Sequence, residues 1–184
     1  MIKNKIHSLL NINKNQYLKP LTEISDNLII NNSMWFDFDK FVSDICKSRK
    51  KSTLKSTDTV LIYDKKIFFI EFKDIGLGIT KINNNTISKY TDIDDFLNDK
   101  KKDLRLKISE SYIFLIELLK NSNNIEVIFN YDRFYYLVYN SQNNRQFIKE
   151  HINNLSLSLS PCNFYIKKNQ SVCVENFQRK FLIN

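Results

Sequence analysis

The sequence predicts an α/β domain with a mixed central β-sheet and helices on both faces. Three observations predict it. First, Ser56 to Asp74 reads as a β-hairpin, because Val60–Tyr63 and Ile67–Phe72 are short apolar runs rich in β-branched and aromatic residues, separated by Asp64-Lys65-Lys66. Both runs are apolar at nearly every position, so both faces of the hairpin expect cover. Second, Lys100 to Lys120 carries Leu104, Ile108, Tyr112, Leu115 and Leu119 on one stripe, widened by Ile113, Ile116 and Leu118, which suits a helix packed on a sheet. Third, the order is helix, hairpin, long helix, strands, which builds a layered α/β unit. A chain of 184 residues is one domain.

Residues 1 to 19 offer only a weak signal for a short helix. Pro20 opens a better candidate, Leu21 to Ile30, which Asn31-Asn32-Ser33 ends. Met34-Trp35-Phe36 reads as core. Asp37 or Asp39 caps a helix running from Asp39 to about Lys50, with Phe38, Phe41, Val42 and Ile45 on one face. Beyond the hairpin, Gly76 and Gly78 are the only glycines, so this segment asks for a backbone reason: positive φ, a bulge or a close approach. A turn out of the sheet is the expected answer. Lys81 to Asp99 is polar, and Asp92, Asp94 and Asp95 lack the glycine and glutamate of an EF-hand, so Asp92 is read as a helix cap. On the long helix, Asp103, Lys107 and Glu110 could form an ion-pair ladder. Ile125 to Asn130 and Phe134 to Asn140 are expected strands, and the aromatics from Tyr131 to Tyr139 are expected core packing. A helix is predicted over 142 to 154, a late hairpin from Cys162–Lys167 and Ser171–Val174, and a terminal segment Phe177 to Ile183 packed on the body.

The composition excludes several classes. Three widely spaced cysteines and two histidines leave neither a CxxC zinc site nor a disulfide framework, and an intracellular, reducing compartment is expected. No apolar run approaches the roughly 20 residues that span a bilayer, and the N-terminus lacks the features of a signal peptide. The net charge of +8 suits a partner bearing phosphates, although Lys, which AT-rich coding inflates, carries most of it. Lys47, Arg49, Lys50, Lys51 and Lys55 are five basic residues in the nine from 47 to 55, just before Asp58. They could hold a phosphate backbone or form a solvated loop.

Three charged residues interrupt the apolar hairpin: Asp58, Glu71 and Lys73. Glu71 and Lys73 share a strand face. A two-residue turn at Asp64-Lys65, or a four-residue turn from Tyr63 to Lys66, pairs Ile62 with Ile67 and Asp58 with Glu71. Two carboxylates and an ammonium then meet at one end of the hairpin. Opposed carboxylates repel, and a hard divalent cation between them would offset that. A three-residue turn would put the acids on opposite faces. The alternative to a reactive site is an internal Glu71–Lys73 ion pair near solvent.

Asp58 followed by Glu71-Phe72-Lys73 on the next strand resembles the motif of the PD-(D/E)XK, or restriction-endonuclease-like, nuclease superfamily. Thr57 stands where that family has proline. The resemblance covers about Asp39 to Asn130, with residues 1–38 and 141–184 as extensions packed on that core within a single domain. It implies a restriction-endonuclease-like core, with Asp58 and Glu71 binding Mg²⁺ or Mn²⁺ and the Phe72 carbonyl as a further ligand. It also implies that an upstream helix supplies another acid, for which Asp44 is the candidate and Glu23 a distant second. Lys73 would position or deprotonate water, and Lys107 would be the lysine that members often place on the long helix, here also able to contact nucleic acid. The expected function is metal-dependent cleavage of DNA or RNA. The other expectation is a catalytically inactive nucleic-acid-binding or structural subunit, as a homodimer or within a larger assembly.

Overall fold

The computed structural model describes residues 4–13, 15–84, 86, 89–140, 146–159, 162 and 165–182. Its elements in order are α1 (Ile6–Leu10), β1 (Leu18–Pro20), α2 (Leu21–Ile24), β2 (Met34–Phe36), α3 (Phe38–Ser48), β3 (Thr59–Tyr63), β4 (Lys66–Phe72), α4 (Ile75–Asn83), α5 (Ile93–Asn121), α6 (Glu126–Asn130), β5 (Asp132–Tyr139), α7 (Gln146–Ser158), β6 (Lys168–Cys173) and α8 (Val174–Phe181). The main sheet has four strands in the order β3-β4-β5-β6. β3 and β4 are antiparallel, whereas β5 joins β4, and β6 joins β5, in parallel. The mixed sheet and flanking helices expected from the sequence are therefore present.

Alternation along the strands divides the core in two. Val60, Ile62, Ile67, Phe69, Tyr135 and Leu137 face a large cluster built with α1, α3, α4, α5 and α7. Leu61, Phe68, Ile70, Phe72, Tyr136 and Val138 face a smaller cluster with Leu21, Trp35, Phe177 and Phe181. The aromatics of β5 pack between strands, as in the Phe68–Phe134 stack at 5.2 Å. β1 and β2 form a separate antiparallel pair, and an Asp37–Thr59 bridge ties the end of β2 to β3.

Several elements depart from expectation. The helix of residues 21–30 shrinks to α2, because β1 pairs with β2 and holds the intervening chain as a loop. Trp35 and Phe36 are core, but Met34 is exposed. Gly76 and Gly78 lie inside α4 rather than in a turn, and neither has positive φ. The close approach is real: a Cβ on Gly78 would lie 2.5 Å from Phe96 Cζ. Asp92 caps the 29-residue α5 by accepting the Asp95 N–H. The helix stripe is buried as expected, but Ile113 faces solvent. The run Ile125–Asn130 forms the short α6 instead of a strand, burying Val127 and Ile128. Among the described residues the place of the late hairpin is taken by β6, whose Lys168, Asn169 and Gln170, expected as a turn, pair with β5. Parts of the predicted helix over 142–154, of the late hairpin and of the terminal segment lie outside the described residues; α7 runs on to Ser158.

Candidate functional site

The hairpin turn is the two-residue Asp64-Lys65, both in the left-handed region with φ of 47° and 53°. This is the backbone of a tight primed turn, whose twist matches that of the strands. It pairs Tyr63 with Lys66 and Ile62 with Ile67, and the register runs on to Thr59 with Ile70. One step further sets Asp58 across from Glu71, as the sequence predicts. Asp58 Oδ2 accepts the Phe72 N–H at 2.6 Å. Because Glu71 alternates with Phe69 and Ile67, its carboxylate points under α5 and is fully buried.

Two ammoniums meet this pair. Lys73 Nζ lies 3.3 Å from Glu71 Oε1. Lys107 reaches down from α5 to donate to the same Oε1 at 2.8 Å, with its Nζ 3.8 Å from Asp58 Oδ1. Glu71 Oε2 is buried and has no hydrogen-bond partner among the described residues. Burial raises the Asp58 carboxyl to about 8, helped by the Glu71 charge and opposed by Lys107, the Phe72 N–H and Lys73. Burial also raises Glu71, against the pull of Lys107 and Lys73. Burial works against the charge on Lys107, but Glu71 and Asp58 outweigh it and hold the ammonium above its ordinary value. Tyr135 lies on the same sheet face, its buried hydroxyl without a hydrogen-bond partner among the described residues. Its phenol is pushed well above the ordinary value by burial and by the two carboxylates.

Asp58 and Lys73 open onto a cleft of about 340 Å³, walled also by Asp74 and the turn from Ser25 to Leu28. A second cleft of about 380 Å³ lies along the first half of α5, lined by Lys55, Lys89, Lys100, Lys102, Asp99 and Asp103. Lys89 had no signal in the sequence beyond its charge.

The remaining sequence candidates fall in distinct places. Asp44 forms an i,i+4 pair with Lys40 at 2.7 Å, and no contact among the described residues links it to Asp58 or Glu71. The acid of α3 that does approach the cluster is Asp39, read from sequence only as a cap. Its Oδ1 accepts from Ser56 Oγ at 2.6 Å, and its charge acts on Lys107. In the basic run, Arg49 pairs with Glu117 and Lys55 with Asp103, while the Lys55 N–H donates to Glu110. Lys47, Lys50 and Lys51 are exposed. The anticipated ladder of Asp103, Lys107 and Glu110 therefore does not form within the helix, since each residue reaches off it. Thr57 is buried, and its N–H donates to Ser111 Oγ at 2.8 Å, a bond that proline could not make.

Two carboxylates and one neighbouring carbonyl are a short protein donor set. Among the described residues no group of three or more His, Cys, Asp and Glu is placed to hold a metal. The oxygens fit a hard cation that completes its shell with water and phosphate, as Mg²⁺ does, and the unpartnered Glu71 Oε2 is a free donor for it. The chain matches no protein-family model, no curated protein and no solved structure. None of the described helices is long and apolar enough to cross a membrane.

Proposed function

We propose that this chain has a restriction-endonuclease-like core and is a divalent-metal-dependent nuclease hydrolysing phosphodiester bonds of DNA or RNA, within the cell. The observation that carries the proposal is the meeting of Asp58, Glu71 and Lys73 at one end of the hairpin, beside an open cleft. Asp58, Glu71 and the Phe72 carbonyl would hold Mg²⁺ or Mn²⁺. When bound, such an ion supplies an activated water and neutralises charge on the phosphate. Lys73 borders the cleft and Glu71, so it can orient a water and stabilise negative charge developing on the phosphate. Glu71, fully buried, would fix the position of both. Lys47, Lys50 and Lys51, together with the lysines along α5, supply backbone-binding charge.

A second reading has its own observation. Lys107 Nζ stands 2.8 Å from Glu71 and 3.8 Å from Asp58, where a cation would otherwise sit. On this reading the fold binds nucleic acid, or builds a larger assembly, without cutting. Cleavage assays on single- and double-stranded DNA and RNA, with Mn²⁺, Mg²⁺ or EDTA, separate the two. The nuclease cuts only with metal and loses activity in Glu71→Ala and Lys73→Ala. Salt-sensitive binding without cutting supports the second reading, and neither binding nor cutting removes the nuclease and the nucleic-acid-binding form of the second reading.

A further inference from the structure

Asp58 and Glu71 share one end of the hairpin with two ammoniums, Lys73 and Lys107. The two ammoniums are not equivalent. Among the described residues Lys73 forms an ion pair with Glu71 and its side chain is 37% exposed, whereas Lys107 pairs with both carboxylates and is 14% exposed. Lys107 also comes from an element fastened to the chain entering Asp58: Ser111 of α5 accepts the Thr57 N–H, and Glu110 accepts the Lys55 N–H. Its position is thus set by the packing of α5 as well as by its own flexible stem.

We propose that Lys107 is the resident counter-ion of this carboxylate pair, occupying the cation position in the metal-free protein and competing with a divalent metal for it. The inference rests on the metal-site reading above. An ion liganded by both Asp58 and Glu71 would enter the space that the ammonium fills, and two cations a few ångströms apart in a poorly hydrated interior repel strongly. Entry of the metal therefore turns Lys107 out of the pair. Its stem lets the ammonium swing toward an incoming phosphodiester, so an anion that accepts it strengthens metal binding. Metal and phosphate then bind cooperatively, each completing the charge balance that the other disturbs.

The test is calorimetric titration with Mn²⁺ of wild type, Lys107→Met and Lys73→Met, alongside thermal unfolding of each. Lys107→Met is expected to bind Mn²⁺ more tightly than wild type, by about 5- to 150-fold, the usual range of coupling between two sites. It should melt lower without metal, because buried Glu71 Oε1 loses the donor that Lys107 supplies, and regain stability with Mn²⁺. Lys73→Met should change Mn²⁺ affinity less. Lys107→Gln, which keeps a polar tip and drops the charge, serves if the methionine variant does not fold. A wild type that binds Mn²⁺ with Lys107 variants that bind no tighter overturns the inference and leaves the metal site standing. Absence of Mn²⁺ binding in every protein overturns both. Binding by the variants where wild type has none upholds the inference and places the wild type with the non-cutting reading.

Discussion

Burial beside Glu71 holds the Asp58 carboxyl at about 8 in the folded protein, against 3.8 for a solvated aspartate. A group whose pKa is raised by folding favours the folded state where it is protonated. Its contribution is full below 3.8 and is lost as the pH rises through about 8. Metal-free protein is therefore expected to lose stability across that window, and Asp58→Asn to lose less. Chemical denaturation at about pH 5 and about pH 9 reads the difference. Because Glu71 is raised too, a residual decline of the same sign remains in the variant. Nearby, Thr57 carries a different residue-scale expectation. Thr57→Pro deletes the donor to buried Ser111 Oγ and should lower stability by about 1–3 kcal/mol, measured as a shift in denaturation midpoint at constant m-value.

Among the elements, the hairpin depends on a turn that holds Asp64 and Lys65 at positive φ. Aspartate tolerates that region better than a long side chain does, and Asp-Gly is a preferred pair for such turns. Lys65→Gly is thus expected to stabilise the protein by up to about 1 kcal/mol, measured by urea titration, while keeping the register that opposes Asp58 and Glu71. α4 shows the opposite use of glycine. Gly78→Ala adds a methyl against the Phe96 ring, and overpacking of this kind costs about 1–3 kcal/mol, more than the helix propensity that alanine recovers. Phe96→Leu in the same chain should restore much of the loss, which a double-mutant cycle would show as coupling.

At the scale of the molecule, the charge of +8 is unevenly available. Arg49 and Lys55 are paired with acids of α5, whereas Lys47, Lys50 and Lys51 stand in solvent. If these three hold phosphates, replacing them together with Gln should weaken binding to all sequences alike. It should also flatten the slope of log K against log salt by about 1 for each phosphate that is no longer neutralised. Fluorescence anisotropy across a salt series gives that slope directly, and an unchanged slope would assign nucleic-acid binding to the lysines along α5 instead.

Local rules carried the hairpin, its register, the buried stripe of α5 and the meeting of Asp58, Glu71 and Lys73. Alternation along a strand and the periodicity of a helix are properties of neighbouring residues, and a two-residue turn transmits the register without reference to the rest of the chain. What lay between distant segments was decided by the tertiary structure. The apolar run of α6 is too short for periodicity to tell a helix from a strand, and β6 became one parallel strand because β5 offered an open edge to pair with. Asp39 and Asp44 are five residues apart, hence about 140° around a helix of 3.6 residues per turn, and only the packing of α3 shows which one approaches the cluster. Lys107 reads in sequence either as one rung of a solvated ladder or, through the resemblance, as the long-helix lysine near the site. It becomes the second cation of the site because α5 crosses the sheet directly over Glu71, a contact between residues 36 positions apart that no local pattern encodes.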